Sequence, residues 1–403
     1  IGNTTSGTGT TGIFFSYSGY TGAATQAAGK LFTIDSTGFT KGSLFLGNFT
    51  QNASTDVNLN LSGTSTLTFG SGTTFNGNMN CTASSLYLNG STFNGTFTGT
   101  KTGSSSNNSN GGNIFGSTFS LTNSGSGNFL TGNTLPDQFG GDATFTNSGT
   151  AYIQLAHNVA GTIFNGNTIF NNTGSGSDAR ILVCDGAAAA TAVFNGDVTA
   201  NNTGTANTSL IRFNLRGTCT FNGNIIVNST AGSGNNSYGI YFSWNTYSGS
   251  AVLADSKTIT VGGTGFTKGV LNLINFTQIG STAQTLNLTG SSQTVIGPAS
   301  SFGGNLTINS PGVLLNGATF SGTTTIMKTG SSNDDGRGGN TFQGITSITN
   351  NGSGYLKMGN NNPDVFNSDV NFNNTSSGNF YIGDNSSGNQ FNGNTVFNNS
   401  GTG

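Results

Sequence analysis

The chain carries very little charge, since Asp, Glu, Lys and Arg together make up 6% of its 403 residues. A typical soluble domain has roughly 25%. The 13 acidic residues are all aspartate, and the 11 Lys and Arg residues are spread along the chain without forming a cluster. A protein that binds nucleic acid needs clustered cations to neutralise phosphates, so this composition excludes that function.

Long apolar segments and strong helix formers are also missing. No stretch of eighteen apolar residues occurs, so the sequence predicts no membrane-spanning helix. Glu is absent and Met occurs 3 times, whereas Gly, Asn, Ser and Thr, which are poor helix residues, dominate. The 31 phenylalanines supply apolar surface that disordered chains lack. We therefore expect an ordered protein built from β-strands.

The sequence contains a long internal duplication. Residues 12–176 align with residues 239–403 at a shift of 227 positions, without a gap. Gly-Phe-Thr-Lys-Gly occurs at 38–42 and 265–269, and Asn-Phe-Thr-Gln at 48–51 and 275–278. Loops normally tolerate insertions, so a gapless duplication indicates that length is constrained at every position. Stacked coils would impose that constraint.

A shorter repeat lies inside the duplication, and each unit is marked by a phenylalanine followed by small residues and an Asn, Asp or Thr. The marked residues are Phe75, Phe93, Phe115, Phe139, Phe164, Phe194, Phe221, Phe302, Phe320, Phe342, Phe366 and Phe391. Six positions after each one the residue is usually apolar, and five positions after it is mostly polar. This alternation is typical of a strand with one buried face.

The residues directly after each phenylalanine predict a bend. The second position is usually Gly and the third is often Asn or Asp. We expect the glycine to supply a backbone conformation that other residues resist. We expect the Asn or Asp to adopt the left-handed region and to bond its local backbone. Each unit is thus predicted to be a bend followed by a strand.

The repeat length predicts how the units assemble. A unit of about 24 residues cannot bury its own apolar face, so neighbouring units must stack. The predicted fold is all-β: a right-handed parallel β-helix (β-solenoid) of roughly 24 residues per coil, with the phenylalanines as an internal ladder. We expect residues 1–403 to form a single continuous solenoid. Both chain ends cut the repeat, and from this we expect a piece of a longer array or subunits that stack end to end.

The repeated phrases resemble a known class of proteins. Phe-Asn-Gly-Asn at 164–167, 221–224 and 391–394, and Phe-Asn-Asn-Thr-Gly-Ser-Gly at 170–176, resemble the tandem repeats of large secreted surface proteins of filamentous or gliding bacteria. More distantly, they are similar to the FxxN repeats of chlamydial polymorphic outer-membrane adhesins. Residues 139–142, 194–197 and 366–369 carry Asp in the last place. The resemblance implies an extracellular β-solenoid that is structural or adhesive.

The charged residues give little support to catalysis. Carbohydrate-active β-helix enzymes need clustered carboxylates beside a groove, often with calcium. The duplication acts as a control, because His157 is replaced by Asp384 and the pair Asn107-Asn108 by Asp334-Asp335. The charged positions kept in both copies are Lys30 and Lys257, Lys41 and Lys268, Lys101 and Lys328, Asp137 and Asp364, and Asp142 and Asp369. They form no triad in the sequence, so we predict that the protein is not an enzyme and needs no cofactor.

Four aspartates are the candidate metal ligands. Asp137 and Asp142, and their copies Asp364 and Asp369, lie in a Pro-Asp-x-Phe-x-x-Asp phrase at 136–142 and 363–369. Two carboxylates near a bend are able to share a calcium ion. The second aspartate occupies the position that is Asn in sister coils, where a side-chain oxygen caps the backbone. Capping is the favoured interpretation, and calcium binding is the alternative.

The cysteines and the single tryptophan are expected to pack inside the protein. Cys81 is replaced by Ile308 in the second copy, which indicates a small buried apolar residue. Cys184 and Cys219 have no zinc-ligand spacing, and a disulfide between them stays open as an alternative. Trp244 is replaced by Tyr17 in the first copy, which favours packing over a platform for sugars.

These observations together predict a mechanical role. We expect an extracellular, cell-surface β-solenoid of bacterial origin, a building block of a filament, sheath or fibre that self-associates end to end or laterally. Low charge removes the repulsion that would oppose such association. An adhesin or autotransporter-passenger stalk that binds host or surface glycans is the first alternative. A polysaccharide-degrading β-helix enzyme is the second, and ice binding is not favoured because Thr-x-Thr does not recur in every coil.

Overall fold

The structure of the chain is a computed structural model, and it describes residues 2–4, 12–16, 20–232, 237–244, 247–386 and 388–402. These residues form β-strands and no helix, which confirms the all-β prediction. Among them no helical segment is long and apolar enough to cross a membrane. The strands are short, from two to eight residues, because Gly, Asn and Ser interrupt every apolar run.

The chain divides into two compact units, Ile1–Gly196 and Asp197–Gly403. Within each unit it passes in turn through three sheets, which we call the ladder sheet, the second sheet and the third sheet. Each sheet gains its strands in sequence order, and neighbouring strands are parallel. This arrangement confirms the predicted parallel β-helix. That residues 1–403 form one continuous solenoid stays a prediction.

Among its described residues the first unit contains 22 strands. Its ladder sheet consists of Ala24–Gln26, Phe49–Gln51, Thr74–Phe75, Thr92–Phe93, Ile114–Phe115, Gln138–Phe139, Thr162–Phe164 and Thr191–Phe194. Its second sheet consists of Val57–Asn60, Met79–Ala83, Phe97–Lys101, Phe119–Asn123, Ala143–Asn147 and Thr168–Asn172. Its third sheet has two parts, first Gly12–Phe15, Ser43–Leu46, Thr66–Phe69 and Ser85–Leu88, then Asn107–Asn108, Phe129–Leu130, Tyr152–Leu155 and Arg180–Val183.

The second unit repeats this plan, with 25 strands in the part of it that the structure describes. Its ladder sheet consists of Thr218–Phe221, Ser250–Leu253, Phe276–Gln278, Ser301–Phe302, Thr319–Phe320, Thr341–Phe342, Val365–Phe366 and Gln390–Phe391. Its second sheet consists of Val198–Asn202, Ile225–Ser229 and Ile259–Phe266, then Gln284–Asn287, Leu306–Ser310, Thr324–Lys328, Thr346–Asn350, Val370–Asn374 and Thr395–Asn399. Its third sheet consists of Leu210–Phe213, Ile240–Phe242, Lys268–Leu273, Ser291–Ile296 and Gly312–Leu315, then Asp334–Asp335, Leu356–Met358 and Phe380–Ile382.

The coil length follows from the register of the ladder sheet. Among the predicted phenylalanines of the first unit, the shortest coil joins Phe75 to its partner Phe93, and the longest joins Phe164 to its partner Phe194. The coils between these two have intermediate lengths. The strands keep their register, and the loops differ in length from coil to coil. The mean coil length agrees with the repeat length that the sequence predicted.

The predicted alternation of buried and exposed residues holds along the second sheet. In Phe119–Asn123 every second side chain is buried, and the same pattern recurs in Ala143–Asn147 and Val370–Asn374. Successive side chains of a strand point to opposite faces, so one face of each strand lies in the core. The six-residue rule also holds, because Leu121 pairs with Phe145, and Ile326 with Ile348.

Gly99, which breaks the six-residue rule, has a steric explanation. It pairs in register with Cys81 on one side and Leu121 on the other. A Cβ atom added at Gly99 would lie 2.7 Å from a ring atom of Phe97. That ring stacks on the ring of Phe119 in the next coil, with centroids 5.3 Å apart. The phenylalanine two residues earlier therefore fills the space that an apolar side chain fills in other coils.

The glycines that follow the ladder phenylalanines are needed for a different reason from the predicted one. Gly77, Gly166 and Gly344 do not have a positive φ. A Cβ atom at Gly77 would instead lie 2.1 Å from the carbonyl oxygen of Thr55, and one at Gly344 would lie 2.4 Å from that of Gly322. The backbones of consecutive coils touch at this corner, so only a residue without a side chain fits.

The left-handed conformation occurs at another corner of the coil, which corrects the prediction for the Asn and Asp residues. Asn48, Ala156 and Asn275 have φ values of 46°, 47° and 50°. Each of them follows a strand of the third sheet. The sharp bend between the third sheet and the ladder sheet thus imposes this strain. The Asn and Asp residues after the ladder phenylalanines do not share it.

A Gly166→Ala substitution tests the backbone contact. Its Cβ atom would lie 2.5 Å from the backbone nitrogen of Asp142 in the preceding coil. We expect the free energy of unfolding to fall by about 1–3 kcal/mol, because backbone cannot move aside as a flexible side chain can. Urea unfolding measures the change. Gly263→Ala is the matched control, since nothing lies within 4 Å of its added Cβ; equal costs for the two variants would refute the steric explanation.

Candidate functional site

The internal phenylalanine ladder is the most regular feature of the molecule. In the first unit, six of the predicted residues stand in register in consecutive coils: Phe75, Phe93, Phe115, Phe139, Phe164 and Phe194. Their ring centroids are 4.6–5.7 Å apart and consecutive ring planes lie within 11° of each other. All six side chains are buried. Offset stacking of this kind adds to the free energy gained from apolar burial.

The second unit carries a shorter ladder. Its consecutive members are Phe302, Phe320, Phe342, Phe366 and Phe391. Their centroids are 4.7–6.1 Å apart and their planes lie within 15°. Phe391 is the member that reaches solvent, with 37% of its surface exposed. Phe221, the remaining predicted residue, is buried in the same sheet but does not pair with Phe302.

Residues that the repeat pattern did not predict occupy the ladder between them. Phe221 pairs with Leu253, Leu253 pairs with Gln278, and Gln278 pairs with Phe302. In the first unit Gln51 holds the equivalent place and pairs with Phe75. The buried amide of Gln278 donates to the carbonyl oxygen of Thr282 at 2.5 Å. The sequence does carry a signal for these positions, since Asn-Phe-Thr-Gln occurs in both copies, but the repeat pattern is defined by phenylalanine alone.

Exposed amides form a second ladder beside the rings. The side-chain nitrogen of Asn94 donates to the side-chain oxygen of Asn76 at 2.6 Å. In the second unit Asn392 donates to Asn367 at 2.8 Å, and Asn367 donates to Gln343 at 2.9 Å. Each of these residues directly follows a ladder phenylalanine. The hydrogen bonds run from coil to coil, so this exposed row adds to the stacking.

The third position after the phenylalanine also bonds the next coil. Oδ1 of Asn78 accepts a hydrogen bond from the backbone N–H of Thr96 at 2.9 Å, and Oδ1 of Asn305 accepts one from Thr323 at 2.9 Å. The predicted partner was the local backbone, and the observed partner lies one coil further along. The side-chain oxygen, which was expected to bond within its own bend, therefore connects two coils.

Asp142 and Asp369, two of the four calcium candidates, take part in this row. Their Oδ1 atoms accept hydrogen bonds from the backbone N–H of Asn167 and Asn394, each at 2.8 Å. Both aspartates are exposed. Their geometry is the same as that of the asparagines in sister coils: the side-chain oxygen accepts from a backbone N–H, but that backbone belongs to the next coil.

Asp137 and Asp364, the other two candidates, lie in the core. Oδ1 of Asp137 accepts from the backbone and side-chain N–H groups of Asn113, at 3.0 and 2.8 Å. Oδ1 of Asp364 does the same with Asn340, at 2.8 and 2.9 Å. Burial raises the pKa of both carboxyls, to about 6 for Asp364, and the hydrogen bonds from these asparagines oppose the rise. The two aspartates of each phrase therefore have separate partners, one in the core and one at the surface.

A buried polar row runs along the second sheet and was not predicted. Lys101 pairs in register with Asn123, then Asn147, then Asn172, and all four side chains are fully buried. The Lys101 ammonium donates to the carbonyl oxygens of Gly103 at 2.8 Å and Gly127 at 2.9 Å. The asparagines donate to carbonyls of neighbouring loops in the same way. These contacts fix the loops that join the second and third sheets.

The two copies of this row differ in one charge. Lys328, the copy of Lys101, donates to the carbonyl oxygens of Gly330 and Gly354 at 2.7 and 3.2 Å. Its ammonium lies 4.0 Å from Oδ2 of Asp334, and both side chains are fully buried. In the first unit the residue at the position of Asp334 is the buried Asn107. Burial lowers the pKa of both lysines, to about 8 for Lys101, and Asp334 opposes the shift at Lys328.

The three cysteines are all buried thiols rather than members of disulfide bonds. Burial raises the pKa of the Cys81 thiol. Cys81 pairs with Leu59 and Gly99 inside the second sheet, where it acts as the small apolar residue that the sequence predicted.

Titratable side chains are scattered through the described residues. No group of three or more His, Cys, Asp or Glu side chains there is placed to hold a metal ion. Several polar side chains of the core instead form hydrogen bonds between coils, as Asn113 does with Asp137 and Lys101 with Gly127. In this part of the chain the most extensive side-chain arrangements are therefore the rows of phenylalanine rings and the rows of amides.

Comparisons with known proteins found no relative, since no family model, curated protein or solved structure matches the chain.

Proposed function

We propose that the chain is a structural, extracellular building block of a bacterial surface filament, sheath or fibre. One observation carries the proposal: within each unit the same kind of side chain occupies the same register position in coil after coil. Phenylalanine rings, amides and backbone groups all make their contacts along the direction of stacking. An arrangement of this kind resists bending and separation of the coils, which is what a mechanical element requires.

The outer faces support association between chains. The formal net charge is −2 over 403 residues, so electrostatic repulsion between copies is weak. Several outward apolar side chains are also exposed, including Ile114, Ile169 and Ile345 at 46%, 37% and 58%. Ile114 pairs in register with Thr92 and Gln138, and Ile169 pairs with Thr144, so their neighbours on this side are uncharged and polar. Two such faces are able to approach closely, because neither has to desolvate a dense layer of charge.

Electron microscopy of the purified chain tests the proposal. We expect long fibres of uniform width at neutral pH and a sedimentation profile that shifts with protein concentration. A variant with Thr98→Lys and Ile169→Lys adds two positive charges to one outward face of the second sheet. We expect this variant to form fewer fibres at low salt and to recover at about 0.5 M salt, where charges are screened.

A matched variant with Thr98→Ser and Ile169→Val keeps the face neutral and should assemble as the parent chain does. Separate particles at every concentration, for the parent chain as well as the variants, would overturn the filament proposal. The protein would then be a spacer or stalk, and the adhesin alternative would be the favoured function.

A further inference from the structure

A groove crosses the outer side of the third sheet in the second unit. It has a volume of about 540 Å³, and the residues that define it are Tyr238, Tyr241, Trp244, Asn272, Gln293 and Arg337. Tyr241 pairs in register with Asn272, Asn272 with Val295, and Val295 with Leu314. The floor of the groove is therefore a row of four outward side chains. At the usual strand spacing this row is about 14 Å long.

One end of the groove is aromatic. The rings of Tyr241 and Trp244 are stacked, with centroids 5.1 Å apart and planes at 17°. Tyr238 meets both of them edge-on, at 5.7 and 5.3 Å. Trp244 thus packs as the sequence predicted, and it lines the groove as well. Tyr17, its counterpart in the first copy, lies outside the described residues.

The middle of the groove is polar, and one of its groups lacks a partner. Asn272 is 8% exposed, and its Oδ1 atom has no hydrogen-bond partner among the described residues. A buried acceptor without a partner is costly, and here it lies on the floor of a groove. Gln293 and Asn316 add two further amides. Arg337 and Asp335 lie at the far end, where the Asp335 carboxylate also pairs with Lys357 at 3.1 Å and accepts from the Tyr355 hydroxyl at 2.8 Å.

The duplication shows that these side chains are not required by the fold. The first copy has Phe14 in place of Tyr241 and Phe45 in place of Asn272, yet the two residues pair in the same register. It has Asn108 and Asn110 where the second copy has Asp335 and Arg337. Tyr241 and Asn272 thus differ between the copies, whereas positions 316, 335 and 337 are also polar in the first copy, as Asn89, Asn108 and Asn110.

We propose that this groove binds an extended neutral oligosaccharide of about three sugar rings along the row. The chemistry fits at each end. Aromatic rings offer flat apolar faces to the C–H faces of pyranoses, while amide, carboxylate and guanidinium groups match the paired donors and acceptors of vicinal hydroxyls. The strand spacing is close to the length of one pyranose residue in an extended glycan. This inference does not rest on the filament proposal, because the groove lies within a single unit.

A stable protein partner would need about 800 Å² of complementary surface on this face, more than a groove of this size offers. A nucleic acid would need several cations along its path, and Arg337 is the one cation that lines the groove among the described residues. A neutral glycan needs neither. Small-molecule sites with a mostly apolar wall and a few placed polar groups are the general precedent.

Tryptophan fluorescence provides a direct test, because Trp244 is the single tryptophan of the chain. The full chain is titrated with cellohexaose, maltohexaose, chitohexaose and laminarihexaose up to about 5 mM, a range that covers weak carbohydrate binding. We expect a saturable change in emission with at least one of them. Asn272→Leu should weaken that binding about tenfold, because the glycan loses its central hydrogen bond while Leu fits a row that already holds Val295 and Leu314.

Tyr87→Ala is the matched control, since Tyr87 is the copy of Leu314 and lies on the equivalent strand of the first unit. We expect unchanged binding in this variant. Circular dichroism of each variant checks that it is folded. The proposal is overturned if none of the four oligosaccharides produces a saturable change, or if folded Asn272→Leu binds as tightly as the parent chain. The fibre assay is independent of both outcomes, so the two proposals fail separately.

Discussion

Replacing Phe164 with alanine should lower the free energy of unfolding by about 3–5 kcal/mol, the usual cost of truncating a buried phenylalanine. Phe164 is fully buried, and its ring stacks at 4.6 Å on both Phe139 and Phe194. The substitution removes two stacking contacts and leaves a cavity that the flanking strands cannot close, since their spacing is set by backbone hydrogen bonds. Urea unfolding at neutral pH measures the loss, and hydrogen exchange locates it.

Phe391→Ala is the matched control for this prediction. Phe391 is in register with Phe366 and stacks on it at 5.3 Å, but 37% of its surface is exposed. We expect a cost of about 1–2 kcal/mol, because less apolar area is removed from the core. Stability in stacked repeats is close to a sum of local terms. The increase in exchange should therefore concentrate in the coils next to each substitution. Equal costs at the two sites would contradict the expected dependence on apolar burial.

Replacing Lys328 with methionine should be costly for an electrostatic reason. The substitution leaves the fully buried Asp334 without its counter-charge, which lies 4.0 Å away. Removing one partner of a buried ion pair costs about 3–5 kcal/mol. Lys101→Met, at the equivalent site of the first unit, should cost only about 1–2 kcal/mol, because only the bonds to two carbonyls are lost there. The residue near Lys101 that corresponds to Asp334 is the neutral Asn107.

The effect of Lys328→Met should depend on pH. Burial raises the pKa of Asp334 to about 6, above its ordinary value. An acid with a raised pKa holds its proton more tightly in the folded state, so its contribution to stability is greatest below the unfolded pKa and is lost as the pH rises through the folded one. Without Lys328 the pKa rises further, and the cost at pH 7.5 should shrink markedly at pH 4. Urea unfolding of the variant and parent at both pH values measures this.

A double substitution isolates the interaction. Lys328→Met combined with Asp334→Asn removes both buried charges and places at 334 the residue type that the first unit has at Asn107. We expect this double variant to recover most of the lost stability at pH 7.5. A cost that is the same at pH 4 and pH 7.5, or no recovery in the double variant, would mean that the two side chains are not coupled.

The repeat pattern predicted the fold well, because residues that pair in register recur at the repeat interval in the sequence. All twelve predicted phenylalanines lie in the ladder sheets, and nine of their pairings join consecutive members. The apolar residues six positions later also pair with one another, as Ile308 does with Ile326. A strand exposes alternate side chains to the core, so apolar spacing reports the buried face before any contact is known.

The roles of the polar residues were harder to predict because their partners are distant in sequence. Asn78 was expected to bond its own backbone, and it bonds that of Thr96. The sequence shows Lys101 only as a charged position kept in both copies, whereas in the structure it is fully buried. The sequence alone does not show which loop will contact either side chain. That depends on the number of residues in each coil before the chain returns to the same sheet.

The sequence by itself determined the strands that follow the marked phenylalanines, the repeat length and most of the phenylalanine ladder, because these follow from the local alternation of apolar and polar residues. Only the tertiary structure decided why glycine follows each phenylalanine, where the left-handed residues lie, and that Gln278 and Leu253 complete the ladder. It also placed Trp244 and Asn272 in one groove, although they belong to different coils. These features depend on which residues of the neighbouring coil lie next to them. That in turn depends on how the loops of each coil close, which cannot be read from local sequence patterns.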